Sequence, residues 1–112
     1  MSSMFTDSLL SGAWGEHLGA AHCYKRGCVG VTWPDVDRGI DLHAKFPSVG
    51  WVTVQVKVVR ESSTSGRVFK ERIERCMKSG ADIAILVGSQ TGGIRVLDLG
   101  KGMFPEELRG DL

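Results

Sequence analysis

The chain of 112 residues lacks most of the features that would place it quickly. No apolar run approaches the roughly 20 residues that a membrane-spanning helix needs. Met1 to Leu10 has no basic start leading into an apolar stretch, which argues against a secretory signal. Formal net charge is only +1, so the chain as a whole carries no electrostatic footprint of a nucleic-acid binder, although basic residues can still cluster in space. Cysteine is limited to Cys23, Cys28 and Cys76, an odd set without a CxxC pair. That pattern predicts buried free thiols in a reducing compartment, hence a cytoplasmic location. His17 and His22 beside Cys23 have poor zinc spacing and no second ligand pair. The glycines at 12–19 and 92–93 are followed by no Gly-Lys-Ser/Thr, which excludes a phosphate-binding P-loop. There is no repeat, low-complexity tract or linker.

What remains is the composition of an ordinary soluble domain, 42% hydrophobic and 24% charged, and residues 1–112 are expected to form one domain. Helical spacing runs from about Thr6 to Arg26. Leu10, Ala13, Trp14, Leu18, Ala21 and Tyr24 share one stripe, and Gly12, Gly15, Glu16, Gly19, Ala20 and Cys23 form a neighbouring small-residue stripe suited to close packing on a sheet. Gly27 is the expected stop. A β-rich run, Cys28–Trp33, precedes a turn region. Two strands follow, Ile40–Phe46 and Trp51–Val59, joined at Pro47–Gly50. Arg67–Ser79 predicts an amphipathic helix with Phe69, Ile73, Cys76 and Met77 inward. Asp82–Val87 reads as a strand buried on both faces, Ile94–Leu99 as a last strand, and Pro105–Leu112 as a helical turn. The order α-β-β-β-α-β-β predicts an α/β fold, a mixed sheet flanked by helices.

The chemistry concentrates on the hairpin. Side chains alternate along a strand, so Asp41, His43 and Lys45 share one face, as do Thr53, Gln55, Lys57 and Val59 on the next strand. If the two apolar faces join one core, odd positions pair with odd ones, and the hairpin needs an odd loop or a bulge. Pairing about Ser48 sets Asp41 opposite Gln55, and pairing about Val49 sets it opposite Lys57; both bring the three side chains to one site. A carboxylate, a carboxamide oxygen and the Val56 carbonyl are hard ligands suited to Mg²⁺, and a lysine beside them can orient water or offset phosphate charge. A solvated strand face with cross-strand polar pairs is the competing reading of the same residues.

The set Gly15-Glu16 in a first helix, Gly39-Ile40-Asp41-Leu42, and Gln55-Val56-Lys57, followed by a helix and a strand, resembles the PD-(D/E)XK restriction-endonuclease-like nucleases. Their Mrr-like and Holliday junction resolvase-like members are the most similar. The resemblance covers about Leu10 to Val87. It implies a restriction-endonuclease-like fold in which Asp41, Gln55, the Val56 carbonyl and Glu16 bind Mg²⁺ or Mn²⁺, with Lys57 catalytic. Gln55 replaces the usual second acid, in a QxK variant. The literal Pro34-Asp35 pair falls in a turn; Asp41 has the strand parity, with Asp37 as the alternative.

Around this core, His43, Arg60, Ser62, Ser63 and Lys70 are candidate nucleic-acid contacts, each with a plain surface alternative. The expected function is a metal-dependent DNA endonuclease, acting as a homodimer on DNA, branched DNA included. The alternative is a catalytically inactive nuclease fold that binds nucleic acid or a protein.

Overall fold

A computed structural model describes residues 4–34, 40–60 and 66–112 and, within them, the side chains of all but 4–11, 66–70 and 72. Helix α1 spans Met4–Lys25, followed by β1 (Gly30–Thr32), β2 (Leu42–Phe46) and β3 (Gly50–Val59). Helix α2 (Gly66–Lys78), β4 (Ile83–Gly88), β5 (Ile94–Asp98) and a 3₁₀ turn (Glu106–Asp111) complete the order. The strands form one mixed sheet in chain order, β1-β2-β3-β4-β5. Only β3 and β4 are parallel, because only they are joined through a helix. Every residue of β4 is buried, as its continuous apolar sequence predicts for a strand covered on both faces.

The β2–β3 register is the one centred on Ser48: Leu42 pairs with Val54 and Phe46 with Gly50. Three loop residues, 47–49, close the hairpin, and Gly50 at φ +82° supplies the left-handed position such a turn needs. Leu42, Ala44, Phe46, Val52, Val54 and Val56 therefore enter one core, together with Ile83, Ile85 and Val87.

Helix α1 packs on that core through its small stripe. A Cβ placed on Gly15 would lie 2.4 Å from Val58 Cγ2, and one on Gly19 would lie 3.1 Å from Val56 Cγ2. Gly19, Ala20 and Cys23 are buried with them. The stripe of larger residues is a different case: Ala13, Trp14, Ala21 and Tyr24 are exposed, while the half-buried Leu18 packs on the core and, with Trp14, lies against Gly92 in the β4–β5 turn. The reason is distance, since a helix drawn this close to β3 leaves no room for bulky side chains beneath it. The helix ends in a Schellman arrangement, with Cys28 N–H donating to Cys23 O and Gly27 N–H to Tyr24 O, Gly27 having φ +109°. On α2, Cys76 is buried as expected, but Met77 is exposed. Phe69 lies outside the described side chains.

The C-terminal turn ties two distant elements together. Asp111 accepts hydrogen bonds from His22 Nε2 and Arg26 Nη2, both at 2.8 Å, at the end of α1. Glu107 accepts from the Ser48 backbone N–H at 3.2 Å and from its hydroxyl, at the β2–β3 turn. All three cysteines are buried and free, and burial, then Cys28 and Asp111, push the Cys23 thiol up to about 12. Among the described residues no helix is long and apolar enough to cross a membrane.

Two predictions follow from this packing. Gly15→Ala is expected to destabilise by ~1–3 kcal/mol, since the added methyl meets a β-branched side chain that cannot swing away. Gly12→Ala, with nothing within 4 Å of the new Cβ, is expected to stabilise by up to ~1 kcal/mol through helix propensity. Urea midpoints of the two variants should move in opposite directions. The second prediction concerns pH. Burial raises the Asp111 carboxyl, but hydrogen bonds and charge from His22 and Arg26 outweigh it and hold the group below the usual range. Its stabilisation is therefore present above the unfolded-state value of ~3.9 and is lost as pH falls through the folded one. Asp111→Asn should cost ~1–2 kcal/mol at pH 7 and progressively less as pH falls below ~3.9, read from thermal midpoints across pH.

Candidate active site

The site forms where β2 parts from β3. Laddering ends at the Leu42–Val54 pair, and the next residue back, Asp41, lies just outside the strand. Its backbone N–H still donates to Val54 O at 2.9 Å. Its carboxylate Oδ2 accepts the Val56 N–H at 2.7 Å, standing in for a ladder partner. The half-buried acid is thus fixed beside β3, between Gln55 and Lys57.

Backbone direction places the Val56 carbonyl at the same spot. Thr53 O and Val59 O accept from Asp82 and Ser89 on the β4 side, so odd residues of β3 turn their backbone groups toward β4. Even residues turn theirs toward β2, as Val54 O and Val56 N–H both confirm. The Val56 carbonyl therefore faces the edge occupied by Asp41.

Gln55 is the one buried polar side chain among the described residues, 4% exposed. Its Oε1 has no hydrogen-bond partner there. An orphaned carboxamide oxygen costs ~1–3 kcal/mol, which folding does not normally leave uncompensated. Lys57 follows on the same face, half-buried. Cys76 of α2 roofs this region: it packs with Ala84, the ladder partner of Gln55. Burial pushes the Cys76 thiol up, Lys57 pulls it down and Asp41 pushes it up further, so one sulfur lies within electrostatic reach of both charges.

Glu16 approaches from the other side. Helix α1 crosses the valine face of the sheet, opposite to Gln55 and Lys57. Glu16 and Asp41 line a cleft of 270 Å³ together with Trp33, Pro34 and Ile40. Gln55 and Lys57 do not line that cleft. Asp41 joins the two parts of the arrangement, lining the cleft with Glu16 and bonding β3 at Val56, between Gln55 and Lys57 in sequence. No three His, Cys, Asp or Glu side chains among the described residues converge on one point, so a cation here would depend on the carboxamide and the backbone carbonyl.

Of the remaining candidates, His43 is half-buried in β2, paired with Thr53 and Thr32, and Arg60 is exposed just beyond β3. Ser62 and Ser63 lie outside the described residues, as do Asp35, Asp37 and the side chain of Lys70. His17 and His22 have structural partners: His17 packs on Trp33 with ring centroids 5.2 Å apart, and His22 bonds Asp111. One residue that alternation alone does not reveal is Asp82. Its Oδ2 accepts the Thr53 N–H, and its own N–H donates to Thr53, both at 2.9 Å, which clamps β4 to β3 below the site. Its position immediately before a fully apolar strand was the available signal.

Comparison with known proteins adds one result. The chain is similar in structure to a bacterial homing endonuclease, I-Ssp6803I, with a TM-score of 0.60 over 88% of this chain and 67% of that one, at 22% sequence identity. At that identity the likeness is one of fold: the mixed α/β architecture, a five-stranded sheet flanked by helices, is shared with a nuclease. No family model matches the sequence. No curated protein matches it either.

Because Gln55 Oε1 is buried without a partner, Gln55→Met should stabilise the apoprotein or leave it unchanged, by 0 to ~2 kcal/mol. A loss of more than ~2 kcal/mol in urea unfolding would show that the carboxamide has a structural partner instead.

Proposed function

We propose that the chain is a metal-dependent DNA endonuclease of the PD-(D/E)XK type. The observation that carries the reading is the Asp41 carboxylate held against Val56 N–H, next to the unpartnered buried oxygen of Gln55. The shared fold with a homing endonuclease supports it. Asp41, Gln55 Oε1 and the Val56 carbonyl are oxygen donors at one strand end and suit Mg²⁺ or Mn²⁺, with Glu16 available across the cleft. A cation bound there would polarise a phosphate oxygen and acidify water.

The chain's own residues divide the remaining work. Asp41 fixes the donor set to β3. Lys57 orients the attacking water along the strand and offsets charge as the phosphate becomes pentacoordinate. The water oxygen gives up a proton to solvent as it forms the new P–O bond, one ester P–O bond breaks, and the leaving oxygen takes a proton from solvent. Cys76 and α2 keep bulk water from the Gln55 side. DNA is the partner, and branched forms such as a four-way junction are the preferred substrate to test. A second copy of the chain would supply the second cut.

Asp41→Ala and Lys57→Ala are each expected to lower cleavage of plasmid or four-way junction DNA in Mn²⁺ by at least about 10²–10³-fold. Mn²⁺ alone should raise the thermal midpoint of the wild type and not that of Asp41→Ala, because only the native site binds it. Cleavage by Asp41→Ala at the wild-type rate would overturn the reading.

A further inference from the structure

The face of the sheet that bears Gln55 and Lys57 continues toward the hairpin turn, and among the described residues no helix covers it there. Successive rows of ladder partners run Gly30–Lys45–Trp51, then Thr32–His43–Thr53, then Asp41 beside Gln55. Helix α2 sits elsewhere, with Cys76 over Ala84, Leu97 and Leu99. Trp51, beside the hairpin turn and ahead of the point where β4 joins β3 at Val54, is 47% exposed. Its ring reaches across β2: a Cβ on Gly30 would lie 3.4 Å from Trp51 Cη2, and Lys45 Nζ is 6.0 Å from the ring centroid. The indole thus spans three strands, and the absence of a side chain at Gly30 makes room for it.

We propose that Trp51 is a stacking platform for a base of an unpaired DNA strand, whose backbone runs along Lys45 and His43 to the site at Asp41. This rests on the endonuclease reading and specifies its substrate. The charge on these rows complements a phosphate chain. Lys45, His43 and Lys57 face it; Asp41 is a site residue, and Asp82, the other acid in these rows, has its carboxylate engaged by the Thr53 N–H. Gln55 lies four positions beyond Trp51, roughly 13 Å along a strand, a span that a few nucleotides of single strand cover. Duplex bases hide their faces in the stack, so an indole on a flat sheet can engage only a base that is unpaired or splayed out.

The test is binding of fluorescein-labelled oligothymidylate and of a duplex of equal length, in EDTA so that nothing is cut. Trp51→Ala should weaken oligothymidylate binding at least tenfold and duplex binding less than twofold, while Trp51→Phe stays within threefold of wild type. Equal losses on both ligands, no loss on either, or a wild type that fails to bind oligothymidylate would overturn the proposal. Tighter wild-type binding of oligouridylate would overturn the assignment to DNA. Cleavage in Mn²⁺ is read separately: a protein that stacks through Trp51 but cuts nothing refutes the endonuclease reading and sustains the stacking platform.

Discussion

The pairing of Leu42 with Val54 is the constraint on which everything else in this protein depends. Slipping β2 against β3 by one residue would move Asp41, His43 and Lys45 into the core and bring Leu42, Ala44 and Phe46 out. The three-residue turn, with Gly50 left-handed, forbids that slip. With the register set, the ladder runs out just before Asp41, and the acid satisfies the backbone of Val56 where a further strand residue would otherwise have done so. The site is therefore a by-product of where a hairpin stops.

Close packing of α1 is the second consequence. Val56 and Val58 lie on the face opposite to Gln55 and Lys57, and Gly15 and Gly19 let the helix descend onto them. That approach brings Glu16 level with the strand end, where it shares a cleft with Asp41. Helix stability is sacrificed for proximity, because three glycines lower helix propensity while the sheet recovers the loss through contact. The same closeness expels the large apolar residues, leaving Trp14 and Tyr24 on the surface.

Much of this was legible from the residues. Strand parity identified the polar face and required an odd loop, and the nearly continuous apolar run read at 82–87 marked the buried strand, which the structure places at Ile83–Gly88. Gly27 and the apolar faces of the two hairpin strands likewise followed from local rules. Two matters were harder to read. The first helix offered two neighbouring stripes, one of larger apolar residues and one of small residues suited to close packing; the small stripe took the sheet because backbone-to-sheet distance outweighs side-chain size. Asp82 fell at the start of the buried strand and Asp111 in the last helical turn, and no local pattern showed that each bonds residues far away in sequence, Thr53 for one and His22 with Arg26 for the other.

By itself, then, the sequence determined element order, the faces of the hairpin and the identity of the residues at its polar edge, because alternation and turn chemistry act over neighbouring residues. Only the tertiary structure decided between pairing about Ser48 and about Val49, gave Asp41 the Val56 N–H, buried Gln55 without a partner and carried Glu16 to the cleft. These depend on which atoms meet across strands and layers, and periodicity along one chain holds no record of that.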